Sequence, residues 1–149
     1  MTAWTGKWRA AVDKALNYLA LARKGGRVEL GEEPVGAAAR AGKAYLIVVA
    51  SDAGDHTWRR AKSYVAGTDQ QCIRLEANKD EMGFHVGRSS LAIAAITDPA
   101  LALAMVQALG APEKYADAIA VLSAKAEKAK KRRAEAKAHA RNVRTGKKK

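Results

Sequence analysis

The sequence predicts an α/β protein, a three-layer α/β/α sandwich around a mixed sheet of about four strands. Segments with helical periodicity alternate along the chain with short strand-like segments. The two most apolar segments, residues 45–50 and 91–96, have the length of strands and show no polar alternation. Such segments are typical of strands that helices cover on both faces, so the sheet is expected to lie between two helical layers.

The first half of the chain predicts two helices and two strands. Residues 11–24 carry apolar side chains at helical spacing and are followed by Gly25 and Gly26, a common end of a helix. Residues 27–30 form a short strand. Residues 31–34 contain two glutamates and a proline, which suit the first turn of a second helix that ends near Gly42. Residues 45–50 then form the central strand.

The second half repeats the alternation. Ser51 or Asp52 is expected to cap a helix over residues 57–65, and residues 71–75 alternate as a half-buried strand does. A short helix over residues 79–84 precedes the second buried strand, 91–96. Asp98 and Pro99 begin a helix that continues through Leu109. A last helix begins near Pro112 and has one apolar stripe, formed by Tyr115, Ile119 and Leu122.

Charge divides the chain into a neutral part and a basic part. Residues 123–149 hold 12 Lys or Arg against 2 acidic residues, a net charge of +10, whereas the whole chain carries +12. We therefore expect an N-terminal extension over residues 1–10, one domain over residues 11–122, and a basic helical or disordered tail over residues 123–149. The tail predicts attraction to polyanions but says nothing about the surface of the domain.

Other residue types argue against several classes of function. The single cysteine, Cys72, has no partner for an internal disulfide or a CxxC motif, and is expected to be a buried, inert thiol. His56, His85 and His139 lie far apart, so no metal site, cofactor or catalytic triad is expected and the protein is interpreted as non-enzymatic. No apolar run approaches the roughly 20 residues of a membrane span, and the N-terminus does not look like a signal peptide. A cytoplasmic protein without a membrane partner is expected.

Several segments in register resemble one known family. These are residues 21–33 (LARKGGRVELGEE), 41–53 (AGKAYLIVVASDA), 79–83, 86–88 and 92–99. They resemble the kink-turn-binding ribosomal-protein family, and in particular its bacterial branch of small ribosomal or RNA-binding proteins. The resemblance covers about residues 11–109. It implies an α/β/α domain that grips structured RNA, such as rRNA, with one end of its sheet.

The resemblance also implies which residues contact RNA. The start of the second helix is represented by Gly31, Glu32 and Glu33, and the loop before the last strand by residues 86–91, which include Val86, Gly87, Arg88, Ser89 and Ser90. The family motif at the helix start reads G-x-N-E-x-x-K, and this chain has Glu33, Pro34 and Ala37 at the three contact positions. An acidic side chain and a lost lysine predict weaker phosphate contact there.

Each candidate has a plain structural interpretation beside the functional one. The Gly31–Glu33 segment either faces RNA or only begins a helix, and the Arg88–Ser90 segment either contacts phosphate and bases or is a solvated loop. Lys43, beside the central strand, is a further RNA candidate. Trp58, and likewise Trp4 and Trp8, are expected to pack rather than to stack on bases. In the tail, Lys130, Lys131, Arg132 and Arg133 are expected to contact RNA phosphates without sequence preference.

Two main functions follow. The first is a non-enzymatic RNA-binding protein, ribosomal or ribosome-associated, with structured RNA and the ribosome as partners. The second is a general polyanion or DNA-binding protein that acts through its tail, since DNA is not excluded as a partner. An RNA-modifying enzyme would need a cofactor-binding domain and a catalytic constellation, which the sequence does not contain. A protein-interaction role fits less well, because related domains with that role are acidic.

Overall fold

The predicted alternation of helices and strands is present in the structure. The computed structural model describes residues 2–144 and, of their side chains, those of residues 9–143. Within residues 2–144 there are six helices and four strands, in the order α1 (Thr2–Lys24), β1 (Val28–Leu30), α2 (Glu32–Arg40), β2 (Leu46–Val49), α3 (Asp55–Val65), β3 (Gln71–Arg74), α4 (Lys79–His85), β4 (Ile93–Ile96), α5 (Pro99–Ala108) and α6 (Ala116–Arg144).

The four strands form one mixed sheet in the order β1-β4-β2-β3. Strand β4 is antiparallel to both β1 and β2, whereas β2 and β3 are parallel, so β1, β2 and β3 all run in one direction. The sheet therefore has two distinct ends. At the motif end, β1, β2 and β3 finish and β4 begins, close to Gly31 and the loop of residues 86–90. At the tail end, β1, β2 and β3 begin and β4 finishes.

Helices cover both faces of the sheet, which confirms the three-layer α/β/α sandwich. Helices α2 and α3 contact each other and the strands on one face, while α1 and α5 pack together on the other, with α6 against α5. Every residue of β2 and β4 is buried, as the continuous apolar segments predicted. The core around them is built from the buried faces of the helices, with Leu16, Leu19, Val35, Met82 and Met105 among its largest members.

Two helices begin at residues other than the predicted ones. Helix α1 begins at Thr2, so residues 2–10 of the expected extension are its first turns. Helix α3 is capped by the backbone of Gly54, not by Ser51 or Asp52. The Asp52 carboxylate instead accepts a hydrogen bond of 2.8 Å from the backbone N–H of Lys79 at the start of α4. A carboxylate stabilises the first turn of a helix, so Asp52 ties the end of β2 to α4 rather than capping its own helix.

The basic tail is helical as far as the structure describes it. Helix α6 starts at Ala116, after a turn over residues 112–115, and continues to Arg144. The first part of α6 is stabilised by packing, because Ala118 and Leu122 are buried there. From Lys130 onward its described side chains are exposed, apart from the half-buried Ala138. Alanine, lysine, arginine and glutamate all have high helix propensity, which favours the helix where packing ends. Within residues 2–144 no helix combines the length and apolarity needed to cross a membrane.

Candidate nucleic-acid interface

Gly31 makes the turn between β1 and α2 at the motif end. Its φ of 95° lies in a region that side-chain-bearing residues rarely adopt, which explains the need for glycine. Its N–H donates a 3.0 Å hydrogen bond to the carbonyl of Ile93, and its own carbonyl accepts one of 3.0 Å from Val35. The first hydrogen bond fixes the start of α2 against the start of β4, so the two predicted RNA segments emerge side by side.

The two glutamates after Gly31 face different surroundings. An oxygen of the Glu32 carboxylate lies 3.5 Å from the guanidinium of Arg60 on α3, buried and without a hydrogen bond. Glu32 is therefore directed toward the neighbouring helix. Glu33 is exposed, and so are Pro34 and Ala37. The three positions that carry contact residues in the resembled family thus face outward here, and they present one carboxylate and no cation.

The loop of residues 86–90 is held firmly against α4. The N–H of Arg88 donates to the carbonyl of Gly83 at 2.8 Å, and the N–H of Leu91 donates to that of Lys79 at 3.0 Å. Val86 and Leu91 are buried at the two ends of the loop. A methyl group at Gly83 would lie only 2.7–2.9 Å from backbone atoms of Arg88 and Ser90, so α4 and the loop are in very close contact.

This anchoring leaves the tip of the loop facing solvent. Gly87, Arg88, Ser89 and Ser90 are all exposed, and Gly87 has a φ of 76°. One guanidinium and two hydroxyl groups therefore project from a backbone that the neighbouring helix holds in place. A guanidinium suits phosphate, and hydroxyl groups suit phosphate or ribose oxygens. These groups keep the loop a candidate for contact with RNA.

An aromatic residue that the sequence patterns did not single out also lies at this end. Phe84, the only phenylalanine of the chain, is 80% exposed near the end of α4. The ring of the neighbouring His85 lies nearly perpendicular to it, at 83°, with 5.6 Å between the ring centroids. Met82, Gly83 and Val86 are buried and define the inner side of α4. Their spacing in the sequence indicates that Phe84 lies outside that buried side. A phenyl ring this exposed offers a flat surface on which a nucleobase can stack.

The N-terminal half of α1 lies beside this end of the molecule. Arg9 of α1 forms ion pairs with Glu81 of α4 and with Asp13, one turn further along its own helix. Glu81 also completes a capping box with Asn78 at the start of α4. Helix α4, which carries Phe84 and supports the loop, is therefore fixed from two sides. The side chains of Trp4 and Trp8 lie outside the described residues.

Lys43 lies at the opposite end of the sheet from Gly31 and Arg88. It precedes β2 at the tail end, where its side chain is exposed. The chain there is held by Gln70, whose buried side chain accepts a hydrogen bond of 2.9 Å from Ala44 and donates one of 3.2 Å to the carbonyl of Ala39. Lys43 is thus placed on a second surface, apart from the other candidates of the domain.

The basic candidates on α6 also belong to the tail end. Lys125 pairs with Asp69, which precedes β3, at 2.7 Å, and its hydrogen bond lowers the pKa of that carboxyl group. Two turns later Arg133 lines a groove of about 470 Å³ together with Lys24, Arg27 and Asp98. Arg27 and Asp98 flank β1 and β4 and form an ion pair of 2.9 Å. Lys130, Lys131, Arg132 and Arg133 are all exposed.

Trp58 and Cys72 line a different groove, of about 500 Å³, along the free edge of β3. Trp58 is half-buried, and the cations of Lys62 and Arg74 lie 5.6 and 5.5 Å from its ring centroid. This arrangement agrees with the expected packing role of Trp58. Cys72 is half-buried, and burial raises the pKa of its thiol. Among the described residues no group of three His, Cys, Asp or Glu side chains is arranged to hold a metal ion.

Comparison with known proteins supports the fold. No protein-family model and no curated protein matches the chain. Among solved structures, a protein of unknown function from Bacillus halodurans C is similar, with a TM-score of 0.61 and 22% identity over 65% of this chain and 97% of that one. A 15.5 kD RNA-binding protein from Giardia lamblia is similar with a TM-score of 0.52 and 19% identity, over 67% of this chain and 85% of that one.

Proposed function

We propose that this protein is a non-enzymatic RNA-binding protein, ribosomal or ribosome-associated, that holds a structured RNA element at the motif end and RNA phosphates along α6. The observation that carries the proposal is the anchored, exposed loop of Gly87–Ser90 beside the Gly31 turn, on a fold shared with an RNA-binding protein. We also propose that the protein belongs to the family of kink-turn-binding ribosomal proteins. The resembling sequence segments and the α/β/α fold support this assignment.

The groups at the motif end suit a folded RNA with unpaired bases. Arg88 supplies a planar cation for phosphate, and Ser89 and Ser90 supply hydroxyls for phosphate or 2′-hydroxyl groups. Phe84 offers a stacking surface for a base that is turned out of a helix. Glu33, exposed at the start of α2, can accept hydrogen bonds from base amino groups but repels phosphate. Together these groups favour bases and ribose at α2 and phosphate at the loop.

Kink-turn RNA is the proposed target class, with rRNA as its source. The Gly31 turn and the loop occupy the same sequence positions as in the resembled family. At the three contact positions of α2, however, this chain has Glu33, Pro34 and Ala37. We therefore expect that recognition depends more on the loop and Phe84 than on α2. Because α2 brings no lysine to the RNA, phosphate contact at the motif end is assigned to Arg88 of the loop.

The alternative is a general polyanion-binding protein that acts through α6. The exposed cations of α6 favour it, since among the described residues none of Lys130, Lys131, Arg132 and Arg133 pairs with an acidic side chain. This function predicts binding that is indifferent to the type of nucleic acid and steeply dependent on salt. In that case the α/β/α domain would not contact the nucleic acid and would only support α6.

The two functions are distinguished by titrating three proteins with a kink-turn RNA, a plain RNA duplex and a DNA duplex at two salt concentrations. The proteins are the full chain, Arg88→Gln, and a tail-neutral variant in which Lys130, Lys131, Arg132 and Arg133 are replaced by Gln. We expect the full chain and the tail-neutral variant to prefer the kink-turn RNA about tenfold or more at the higher salt, and Arg88→Gln to lose most of that preference. Equal affinity of the full chain for all three, lost in the tail-neutral variant, would establish the polyanion function instead.

A further inference from the structure

We propose that the protein bridges two RNA segments, with a structured element at the motif end and the phosphate backbone of a separate RNA duplex on α6 at the tail end. The inference rests on the proposed function at the motif end. It adds that the Arg88 loop and the cations of α6 bind different RNA segments, because the fold places them at opposite ends of the sheet.

The strand directions separate the two surfaces. Gly31 follows β1 and Arg27 precedes it, so the strand lies between the motif end and the groove that Arg133 lines. Four residues of extended chain span about 13 Å. The loop of Gly87–Ser90 precedes β4 and Asp98 follows it, which places Arg88 and the same groove at opposite ends of the neighbouring strand as well. The Arg88 loop and the groove therefore face away from each other, one at each end of these two strands.

Residues 125–133 of α6 run across the tail end of the sheet. Lys125 pairs with Asp69 in front of β3, which is one edge strand, and Arg133 lies beside Arg27 in front of β1, the other edge strand. Eight helical residues span about 12 Å. Three strand spacings amount to about 14 Å, so the helix crosses the width of the sheet between these two contacts. Its remaining described residues, 134–144, continue past the β1 edge for about 17 Å.

The charges along this path are available to a ligand. Lys125 is bound to Asp69, whereas the side chains of Lys130, Lys131, Arg132 and Arg133 are exposed and, among the described residues, unpaired. The carboxylate of Asp98 is already bound twice, by Arg27 at 2.9 Å and by the N–H of Leu101 at 3.0 Å. The Arg27 side chain is still 53% exposed, and Lys24 beside it is exposed. The groove is therefore positive despite its one acid.

The phosphate backbone of a duplex is the occupant that this surface fits. The four consecutive cations from Lys130 to Arg133 lie about 100° apart around the helix, so whichever side a duplex approaches, about two of them face it. Residues 130–144 contain no Phe, Trp or Tyr side chain for stacking on bases. The surface is thus rich in cations for phosphate and poor in groups that stack on bases, which favours a regular duplex over an unpaired loop.

A two-RNA capture experiment tests the bridge. A kink-turn RNA is immobilised by one end, saturated with the full chain and washed, and a fluorescent plain RNA duplex is then added. The amount of duplex retained per bound protein is measured, for the full chain and for the tail-neutral variant. A matched control variant replaces four exposed cations elsewhere, Lys14, Arg40, Arg59 and Lys62, with Gln and so removes the same charge.

The full chain and the control variant are expected to retain about one duplex per protein. The tail-neutral variant is expected to occupy the immobilised RNA but to retain at least tenfold less duplex. Loss of about two phosphate contacts should also reduce the slope of log affinity for the plain duplex against log salt by about 2. The proposal is overturned if the tail-neutral variant retains as much duplex as the full chain. It is also overturned if the full chain retains none and the tail-neutral variant is weakened only for the immobilised RNA, since both surfaces would then hold one segment.

Failure of the proposed function gives a different result. If the motif end does not recognise the kink-turn, Arg88→Gln and the full chain bind the immobilised RNA equally and a plain duplex captures the protein just as well. Retention of a second duplex is then measured on an immobilised plain duplex. If the full chain retains a second duplex there and the tail-neutral variant does not, the protein bridges two plain duplexes. If the full chain retains no second duplex, the bridging proposal fails as well.

Discussion

Replacement of Gly83 by alanine tests whether α4 and the loop of residues 86–90 form one rigid unit. A Cβ atom there would lie 2.7 Å from the carbonyl oxygen of Arg88, 2.8 Å from the nitrogen of Ser90 and 2.9 Å from its Cα. Ordinary van der Waals contact begins near 3.5 Å, so the three atoms overlap by about 0.6–0.8 Å. All three are backbone atoms, and no change of side-chain rotamer can relieve the overlap.

Two opposing effects set the size of the expected change. Alanine in place of glycine inside a helix stabilises by about 0.5–1 kcal/mol. Overpacking against immobile atoms costs about 1–3 kcal/mol. We expect overpacking to dominate, and Gly83→Ala to lower the free energy of unfolding by about 1–2 kcal/mol. For a chain of this size the thermal midpoint should fall by about 2–8 °C. The loop must also move, so affinity for a kink-turn RNA should fall several-fold.

Urea unfolding followed by circular dichroism measures the stability, and titration of the same preparations with kink-turn RNA measures the affinity. Gly25→Ala is the matched control, because its new methyl group would meet no atom closer than 3.6 Å. We expect this control to change stability by less than about 0.5 kcal/mol. A Gly83→Ala protein as stable as the wild type would show that helix propensity outweighs the overlap, and that the loop is not held as described.

The remaining predictions concern Phe84, Asp98 and Cys72. Phe84→Ala should weaken binding of an RNA with unpaired bases by about 5- to 100-fold, as expected for one lost stacking contact, while Phe84→Trp keeps the affinity; fluorescence polarisation measures both. Asp98→Ala should lower the free energy of unfolding by about 1–2 kcal/mol in urea, because it removes the N-cap of α5 and the partner of Arg27. Asp98→Asn should recover much of this loss, since asparagine is also a good cap. Burial raises the pKa of the Cys72 thiol, so its alkylation by iodoacetamide at pH 8 should be slower than in the urea-unfolded chain and should accelerate as pH rises.

Each of these three predictions has an outcome that contradicts it. Unchanged affinity of Phe84→Ala, in a protein of unchanged stability, would mean that the exposed ring is not in the interface. An Asp98→Asn protein as unstable as Asp98→Ala would assign the whole effect to the ion pair with Arg27. Equal alkylation rates for the folded and unfolded chain would show that the Cys72 thiol is not protected by the fold.

The elements predictable from sequence are those whose signals are local. Residues 45–50 and 91–96 predicted buried strands because nothing polar interrupts them, and Asp98 with Pro99 predicted the start of α5. Asp52 looked like a cap for the helix that follows it, yet its carboxylate binds Lys79, 27 residues away. No local pattern encodes that contact, because it depends on how β2 and α4 meet in space.

The arrangement of the candidate site depended on topology in the same way. Gly31 and the loop around Arg88 came from the family resemblance, and the sheet brings them together through the hydrogen bond from Gly31 to Ile93. Lys43 follows Gly31 by only 12 residues but lies at the other end of the sheet, because α2 returns the chain to the start of β2. The exposure of Phe84 became visible only once the buried side of α4 was known.

The composition of the two outer strands bears on how the protein behaves when it is concentrated. Strands β1 and β3 each leave one row of backbone groups unpaired within the sheet, and such rows invite pairing with another molecule. Strand β1 is three residues long and exposes the charged Glu29 at its centre, while β3 is four residues long and ends in Arg74. Short, charged edges disfavour edge-to-edge association. These two edges should therefore help copies of the chain to stay separate at high concentration.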